Sequence, residues 1–533
     1  MAVLRNAWSD WRKYLVGIFT QIAGNPVIAR ELRVRVRVGR AYLLQAGYLG
    51  FLILIMGLAY EWVISDENSW GNPFQMQQAL ISFYWVVMGT LITLIVLIAP
   101  ALTANAITLE RERKTIDLLL ATPLTARHLL TGKLVASFAF IILLLALTLP
   151  ICGVAVLLGG VSFGDLLRAY LIIAFCGLVL CAIALFTSVY ARNSTMAVLW
   201  SYVRVGMFLI VTSIMVSIQS AYYWVGGASG GTISWLYPIA LLNPFAALAV
   251  ADTSVNLHQW QIPSWIVSIV LCLLVTRLIL TAAARKVGLY DTDPMPSARR
   301  QLLVLLPFYI FLHLTPIFSA IPTGFVSAGS IFARAEPIIL VLLCVIPILG
   351  LAAWIAPFGD DSERACPNDG VFRITRMFTD MPSGALPFLL TLWLLSIATM
   401  GAIFLWTGAF YSINTDEQRL LIELIAYFTG VTIFFWGLGR VCSVITKGKS
   451  VSYARALAFL AITILLTLPM IVHLALTPNR YYADSLIMQF WFPKPFIDAL
   501  TRPNDAEASL PFVAVILTVT GLLLGGLTRP KRQ

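Results

Sequence analysis

The chain has 533 residues, of which 59% are hydrophobic and only 11% are charged. A soluble fold cannot shield so much apolar surface from water, so this composition excludes a soluble protein and indicates an integral membrane protein. The net charge of +11 comes mainly from short basic loops on one side of the predicted membrane domain, which is a topology signal and does not indicate nucleic-acid binding.

Residues 1–40 form an arginine-rich segment ahead of the first long apolar run. Asn25 is placed to cap a helix, and Pro26 suits its first position. Four arginines lie on one face of that helix and three apolar residues on another, with Glu31 between them: Arg30, Arg33, Arg37 and Arg40, and Ile28, Leu32 and Val36. We therefore predict a cytoplasmic amphipathic helix on the membrane surface. A strand is the alternative, because residues 32–38 alternate apolar and basic side chains, but an isolated strand would leave an unpaired edge.

The apolar runs predict the fold. About twenty apolar residues cross the hydrocarbon core, and backbone groups in lipid need the internal hydrogen bonds of a helix. The predicted spans are 41–63, 79–106, 134–159, 169–190, 197–218, 265–284, 302–321, 337–356, 386–408, 420–445, 455–476 and 509–528. The expected fold is thus an all-α integral membrane protein with about 12 transmembrane helices in two six-helix halves.

The predicted order is a first half at 41–284, a cytoplasmic linker at 285–301, a second half at 302–528 and a tail at 529–533. Most basic residues fall on the cytoplasmic side if both termini are cytoplasmic, as expected in an inner (plasma) membrane. A weak repeat relates the halves. Basic turns follow the fourth and tenth spans, at 188–194 and 443–449, and the segments Asn243-Pro244-Phe245 and Lys494-Pro495-Phe496 precede the sixth and twelfth. We expect the latter two to be external re-entrant segments.

The most informative segment is a charged elbow at 109–133 between the second and third spans. Glu110 with Lys114, and Arg113 with Asp117, are four residues apart and are expected to brace one helix as it leaves the membrane. Thr122-Pro123 is expected to end that helix. Thr125 is placed to cap a second, short helix that runs to Lys133 and re-enters the bilayer at Leu134. The second half has a segment of similar length at 358–384, with no matching order of residues.

These features resemble the permease subunits of ABC-2 type ABC transporters, the class that includes sodium and drug exporters and gliding-type permeases. The resemblance is carried by Asn25-Pro26, Arg30-Glu31, Glu110-Arg111-Glu112-Arg113, Leu118-Leu119-Leu120, Thr122-Pro123-Leu124 and Gly132-Lys133, and it covers residues 20–290 best. It implies that the elbow is a coupling helix seated in a cytoplasmic ATPase subunit, and that the chain forms the translocation path of an ATP-driven exporter. The residues implied in coupling are Glu110, Arg111, Glu112, Arg113, Thr122, Pro123, Leu124, Thr125, Arg127, Gly132 and Lys133.

The chain contains no phosphate-binding loop of its own. Gly448-Lys449-Ser450 has Ser443 where the motif needs glycine, and Gly132-Lys133 has Arg127 there. ATP and magnesium are therefore expected in separate ATPase subunits, two per complex, and no catalytic residue, metal site or cofactor is expected in this chain.

Three alternatives stay open at this stage. An ion-coupled secondary transporter would usually need a series of membrane acids, which the predicted spans lack. A non-transporting membrane scaffold or sensor would need no ATPase. Finally, two copies of the chain can assemble as a homodimer if one chain is not a complete permease.

Overall fold

The structure is a computed structural model that describes the chain in fifteen segments. They are residues 26–37, 39–64, 73–115, 126–157, 161–225, 241–257, 260–287, 295–320, 348–352, 355–356, 372–378, 382–407, 415–446, 451–476 and 510–527. Two compact units are found, one of Met1–Asn256 with Trp260–Pro294, and one of Met295–Gln533 with Leu257–Gln259.

Nine helices and a two-stranded sheet are described in the first unit. The helices are α1 Pro26–Arg37, α2 Gly39–Ile64, α3 Pro73–Thr103, α4 Thr108–Glu112, α5 Ala126–Leu157, α6 Phe163–Tyr190, α7 Ser194–Val225, α8 Pro244–Ala249 and α9 Ser264–Val287, and the strands are β1 Ser254–Leu257 and β2 Trp260–Pro263. The sheet is a short hairpin between α8 and α9. It is the one departure from an all-helical chain among the described residues.

Five α-helices are described in the second unit. They are α10 Met295–Ala320, α11 Ala385–Trp406, α12 Thr415–Ile445, α13 Val451–Leu476 and α14 Leu510–Leu527, with two 3-10 turns, Ile374–Arg376 and Pro382–Gly384, ahead of α11.

The all-α membrane fold is confirmed. Within the described residues, eight helices are long and apolar enough to cross a membrane, and two further apolar helices are shorter by that measure. Eleven of the twelve predicted spans overlap one of these helices. In the remaining one, 337–356, the described residues 348–352 are also helical, but most of the span lies outside the described residues, so the count of twelve stays a prediction.

The first unit is built around α6. Its most apolar stretch is 78% buried, compared with 17% for α2, because α3, α5, α7 and α9 all pack against it. Lipid-facing helices need no polar face, and most of the exposed large side chains of α2 and α7 are apolar, among them Leu54, Leu199 and Met207. The largest apolar core of the unit therefore surrounds α6.

Hydrogen bonds at the two ends of the first unit show that its helices alternate in direction. The end of α4 bonds to the start of α5 and to the turn between α6 and α7. At the opposite end, the start of α8 bonds to Thr212 of α7, 18 residues beyond Ser194, which is about 27 Å along the helix axis. We call the first of these the basic end and define it by residues 26–33, 107–115, 126–133 and 188–194.

Small residues bring α12 and α14 into backbone contact in the second unit. A Cβ atom added at Gly430 would lie 2.7 Å from the Ala514 carbonyl oxygen, and one at Gly437 would collide with the Gly521 carbonyl. Both pairs advance by seven residues in the same direction, so the two helices run parallel. A parallel pair requires an odd number of crossings between them, and α13 supplies one.

Candidate functional site

A buried lysine ties three segments together at the basic end. The Lys133 ammonium on α5 lies 2.9 Å from the Glu31 carboxylate on α1 and 2.7 Å from the Glu110 carboxylate on α4. The Lys133 side chain is 4% exposed, and those of Glu31 and Glu110 are 21% and 14% exposed. We call these three residues the Lys133 cluster. Because a buried charge is stable only when it is paired, the cluster fixes α1 and α4 to the start of α5.

Apolar contacts reinforce the attachment of α1. Val27 is buried in the same core as Ala126, Leu129 and Leu130 of α5. On the outer side of α1, Arg30 and Arg33 are exposed. The helix begins at Pro26, as predicted, and the alternative strand is not formed; Arg37 is its last residue. Asn25, predicted to cap it, lies outside the described residues.

The predicted bracing of the elbow by Glu110 and Lys114 is wrong, because the helix ends first. Glu112 is the last residue of α4, and Lys114 has a φ of 56°. The Thr115 N–H donates to the Glu110 carbonyl at 3.0 Å and the Lys114 N–H to the Arg111 carbonyl at 3.1 Å. This is the Schellman pattern that closes a helix with a left-handed residue. It turns Lys114 away from Glu110, whose carboxylate is instead bound by Lys133.

The second arm of the elbow is the start of a long helix. α5 runs without interruption from Ala126 to Leu157, so the predicted short helix and the third predicted span form one helix. Gly132 and Lys133 are buried within it, and Arg127 is exposed in its first turn. The predicted bend itself, with Thr122, Pro123, Leu124 and Thr125, lies outside the described residues, as does Asp117.

The remaining charges of α4 face the turn between α6 and α7. The Arg111 guanidinium donates from Nη1 to the Ala191 carbonyl at 2.8 Å and from Nη2 to the Val189 carbonyl at 3.1 Å. The Glu112 carboxylate accepts a hydrogen bond from the Ser194 N–H at 2.7 Å and another from the Ser194 hydroxyl at 2.7 Å. Two of the residues predicted to contact a partner are therefore used inside the chain.

The side chains left at the surface of the basic end are predominantly cationic. Arg113 and Lys114 are exposed after α4, and Arg127 and Arg192 are exposed on neighbouring elements. At the opposite end of the unit, Arg168 pairs with Asp165 at 3.1 Å and with Asp252 at 3.0 Å. The exposed positive charge is thus concentrated at one end, as the predicted topology requires.

The segment Asn243-Pro244-Phe245 begins a short helix. The side-chain Oδ1 of Asn243 accepts hydrogen bonds from the Phe245 and Ala246 N–H groups, and its side-chain amide donates to the Thr212 hydroxyl at 2.8 Å. Pro244 takes the first helical position. That this segment is an external re-entrant one stays a prediction, and its counterpart with Pro495 and Phe496 lies outside the described residues.

In the second unit, a buried arginine anchors the counterpart of the elbow. Arg299, near the start of α10, is 3% exposed and donates to the Met377 carbonyl at 2.6 Å and the Gly384 carbonyl at 3.3 Å. Its guanidinium also lies over the Phe388 ring, 5.1 Å from the centroid. In each unit, therefore, a charged residue ahead of the first predicted span of that half is bound to the segment after the second predicted span.

The long-range side-chain pairs of this site could not be predicted from the sequence. Glu31 and Lys133 are 102 residues apart, and Glu112 and Ser194 are 82 apart. Helical spacing relates only residues three or four apart, so no local pattern predicts these pairs. The one local signal is that Glu110 to Arg113 alternate in charge where the apolar run ends.

One of the three comparisons with known proteins gives a match. The model of the family described as ABC-2 family transporter protein matches residues 26–354. No curated protein and no solved structure matches significantly. The matched range begins at the first residue of α1 and contains the Lys133 cluster and the turn between α6 and α7.

Proposed function

The family match covers more than half of the chain, so the protein belongs to the ABC-2 transporter family, and from this we propose that it is the permease of an ATP-driven exporter. The family makes it a multi-pass membrane transport protein. The proposal adds that the energy comes from separate ATPase subunits through residues 109–133.

The observation that carries this proposal is the Lys133 cluster. A segment that transmits force must be held firmly to the helices that it moves. Here one buried ammonium binds the surface helix α1, the short helix α4 and the membrane helix α5 at 2.7–2.9 Å. A solvated linker between two spans would gain nothing from such an arrangement. Near the Lys133 cluster, at the basic end, the cations Arg113, Lys114 and Arg127 are exposed and available to a partner.

In the proposed mechanism, this chain supplies the path and its partners supply the chemistry. Two ATPase subunits bind ATP and magnesium, and their closure presses on α4 and on the bend that the sequence predicts at residues 122–125. Because α4 is fixed to α5 by the Lys133 cluster, the spans move as rigid bodies between inward- and outward-open arrangements. No residue of this chain touches nucleotide in this scheme.

The charge distribution supports the proposed orientation. Exposed cations gather at the basic end, and the opposite end of the first unit holds Asp165 and Asp252 around Arg168. Positive loops are retained in the cytoplasm. We therefore place the basic end, with α1 and both termini, in the cytoplasm of a cell with the protein in its inner (plasma) membrane.

Site-specific photo-crosslinking in native membranes tests the proposal. A photoreactive residue at Arg113 or Thr125 is expected to capture a protein that carries a phosphate-binding loop, identified by mass spectrometry. The matched control is the same residue at Trp260, which is 65% exposed at the opposite end of the first unit. Capture of no ATPase from Arg113 and Thr125, or equal capture from Trp260, would overturn the assignment.

A further inference from the structure

More hydrogen bonds join α4 to the turn between α6 and α7 and the adjoining helix ends than join α4 to α5. We propose that Arg111 and Glu112 clamp α4 to the ends of α6 and α7, so that movement of α4 passes to the fourth and fifth spans as one rigid unit. The inference rests on the proposed function only in taking α4 as the segment that the ATPase moves. It makes these two residues positioning residues of the permease.

Arg111 binds the carbonyl groups at the end of α6. That helix ends at Tyr190, and its last carbonyl groups carry the negative end of the helix dipole. The two guanidinium nitrogens of Arg111 bind the carbonyls of Val189 and Ala191, at 3.1 and 2.8 Å. A planar guanidinium can serve two acceptors in fixed directions, which an ammonium cannot do. Arg111 therefore closes the end of a helix that lies 80 residues away in sequence.

Glu112, whose charge is opposite to that of Arg111, binds the start of α7. That helix begins at Ser194, where N–H groups carry the positive end of the dipole. Both carboxylate oxygens of Glu112 are used, one by the Ser194 N–H and one by its hydroxyl. Adjacent residues of opposite charge thus face two helix ends of opposite polarity, and exchanging them would place each charge against the wrong end.

A third contact caps α4 itself. Ile107, at the N-cap position of α4, makes no side-chain capping hydrogen bond. The hydroxyl of Ser188 on α6 instead accepts hydrogen bonds from the Ile107 N–H at 3.0 Å and the Thr108 N–H at 3.3 Å. Ser188 is fully buried. Because first-turn N–H groups otherwise lack partners, α4 depends on α6 at its start as well as at its end.

These contacts change which spans the elbow should move. From chain order alone, the elbow would be expected to move the two helices that flank it, α3 and α5. The hydrogen bonds of Arg111, Glu112 and Ser188 all reach α6, α7 or their connection, and the Thr108 and Ser194 hydroxyls lie 3.4 Å apart. Since α6 is the central helix of the first unit, motion delivered there reaches every helix packed around it.

A reversible disulfide tests whether α4 and α7 move together. Thr108→Cys with Ser194→Cys places two thiols where the hydroxyls are 3.4 Å apart. The native complex, purified through a tag on this chain, is assayed for ATP hydrolysis after oxidation and again after reduction, with each single cysteine variant as control. Hydrolysis unaffected by the crosslink is expected. Loss of hydrolysis on oxidation, restored by reduction, would show that α4 moves against α7 and would overturn the inference.

Exchange of the two charges gives an independent readout. In the native complex, ATP is expected to change the hydrogen–deuterium exchange of the 188–196 amides. Arg111→Glu combined with Glu112→Arg, which keeps the net charge, is expected to lose that ATP-dependent change. Arg111→Lys and Glu112→Asp should retain part of it. An unchanged response in the exchanged variant would contradict the clamp.

The two proposals fail in different ways. If the tagged chain purifies without any ATPase, the proposed function fails. If the ATPase is present and hydrolyses ATP, but the crosslink abolishes hydrolysis or the charge exchange leaves the response intact, only the clamp fails.

Discussion

Lys133 shows how a single buried charge determines the local structure of the basic end. Its ammonium is withdrawn from water and is balanced by Glu31 and Glu110 from two other helices. Breaking a buried ion pair by removing one partner is far more costly than replacing all partners by neutral groups, because the remaining charge is left without solvent or counter-charge.

We expect Lys133→Met to destabilise the protein by about 3–5 kcal/mol, the range for removing one member of a buried ion pair. The triple variant Glu31→Gln, Glu110→Gln, Lys133→Met should recover much of this loss, since no buried charge is left. Thermal unfolding of the purified protein in detergent, followed by tryptophan fluorescence, measures both. Arg127→Met removes an exposed cation from the same helix and should leave the midpoint unchanged. A triple variant as unstable as Lys133→Met would show that the cluster acts by packing alone.

Lys114 explains why the predicted bracing of the elbow failed. Spacing of four residues predicts a pair only if the helix continues, and nothing in the local sequence marks an end at Glu112. Glycine usually takes the left-handed position that closes a helix, because other residues are strained there by about 1–2 kcal/mol. Because lysine occupies that position, the sequence gives no signal for the end of the helix. The structure shows it, since Lys114 has a φ of 56°.

At the scale of elements, apolar run length predicted the membrane helices well and the connections poorly. The predicted span 386–408 is observed as Ala385–Trp406, and 509–528 as Leu510–Leu527. Such spans can be predicted because the thickness of the bilayer sets how many consecutive apolar residues a membrane helix needs. The clamp of Arg111 and Glu112 depends on helix ends that meet only in the folded chain, so composition could not reveal it.

The pairing of α12 with α14 has a local signal in the sequence. Gly521 and Gly525 form a small-xxx-small pair in the sequence, which favours close helix packing in membranes. In the structure, a Cβ atom at Gly521 would lie 2.6 Å from the Ile433 carbonyl oxygen, and one at Gly525 would collide with the Trp436 ring. The contact at Gly521 is with backbone, which cannot move aside as a flexible side chain can.

We expect Gly521→Leu to separate α12 from α14. The second unit should lose about 1–3 kcal/mol of stability or more, since overpacking typically costs that much. Gly526→Leu is the matched control in the same helix, because a Cβ atom there meets nothing within 4 Å. Both variants are compared by thermal unfolding and by the monodisperse fraction in size-exclusion chromatography. Equal behaviour of the two variants would contradict the observed packing.

At the scale of the whole molecule, each half has a charged anchor in the corresponding place. In the first unit, Glu31 ahead of the first span binds Lys133 at the end of the elbow. In the second unit, Arg299 ahead of the seventh predicted span binds the carbonyls of Met377 and Gly384. The residue types differ, which is why sequence comparison of the halves gave only a weak repeat, but both contacts tie the surface segment to an elbow.

One chain with two anchored elbows offers two docking places, so we expect one permease chain to assemble with two ATPase subunits. Mass measurement of the native complex in detergent decides this, because a second permease chain would add 58.7 kDa. The homodimeric alternative predicts two permease chains for two ATPases and would leave the second elbow unused. If one chain binds both ATPases, disrupting the second elbow with Gly384→Leu, whose Cβ atom would collide with the Arg376 carbonyl, should reduce the ATPases bound per permease from two to one. An unchanged ratio in that variant, together with two permease chains in the native complex, would establish the dimer instead.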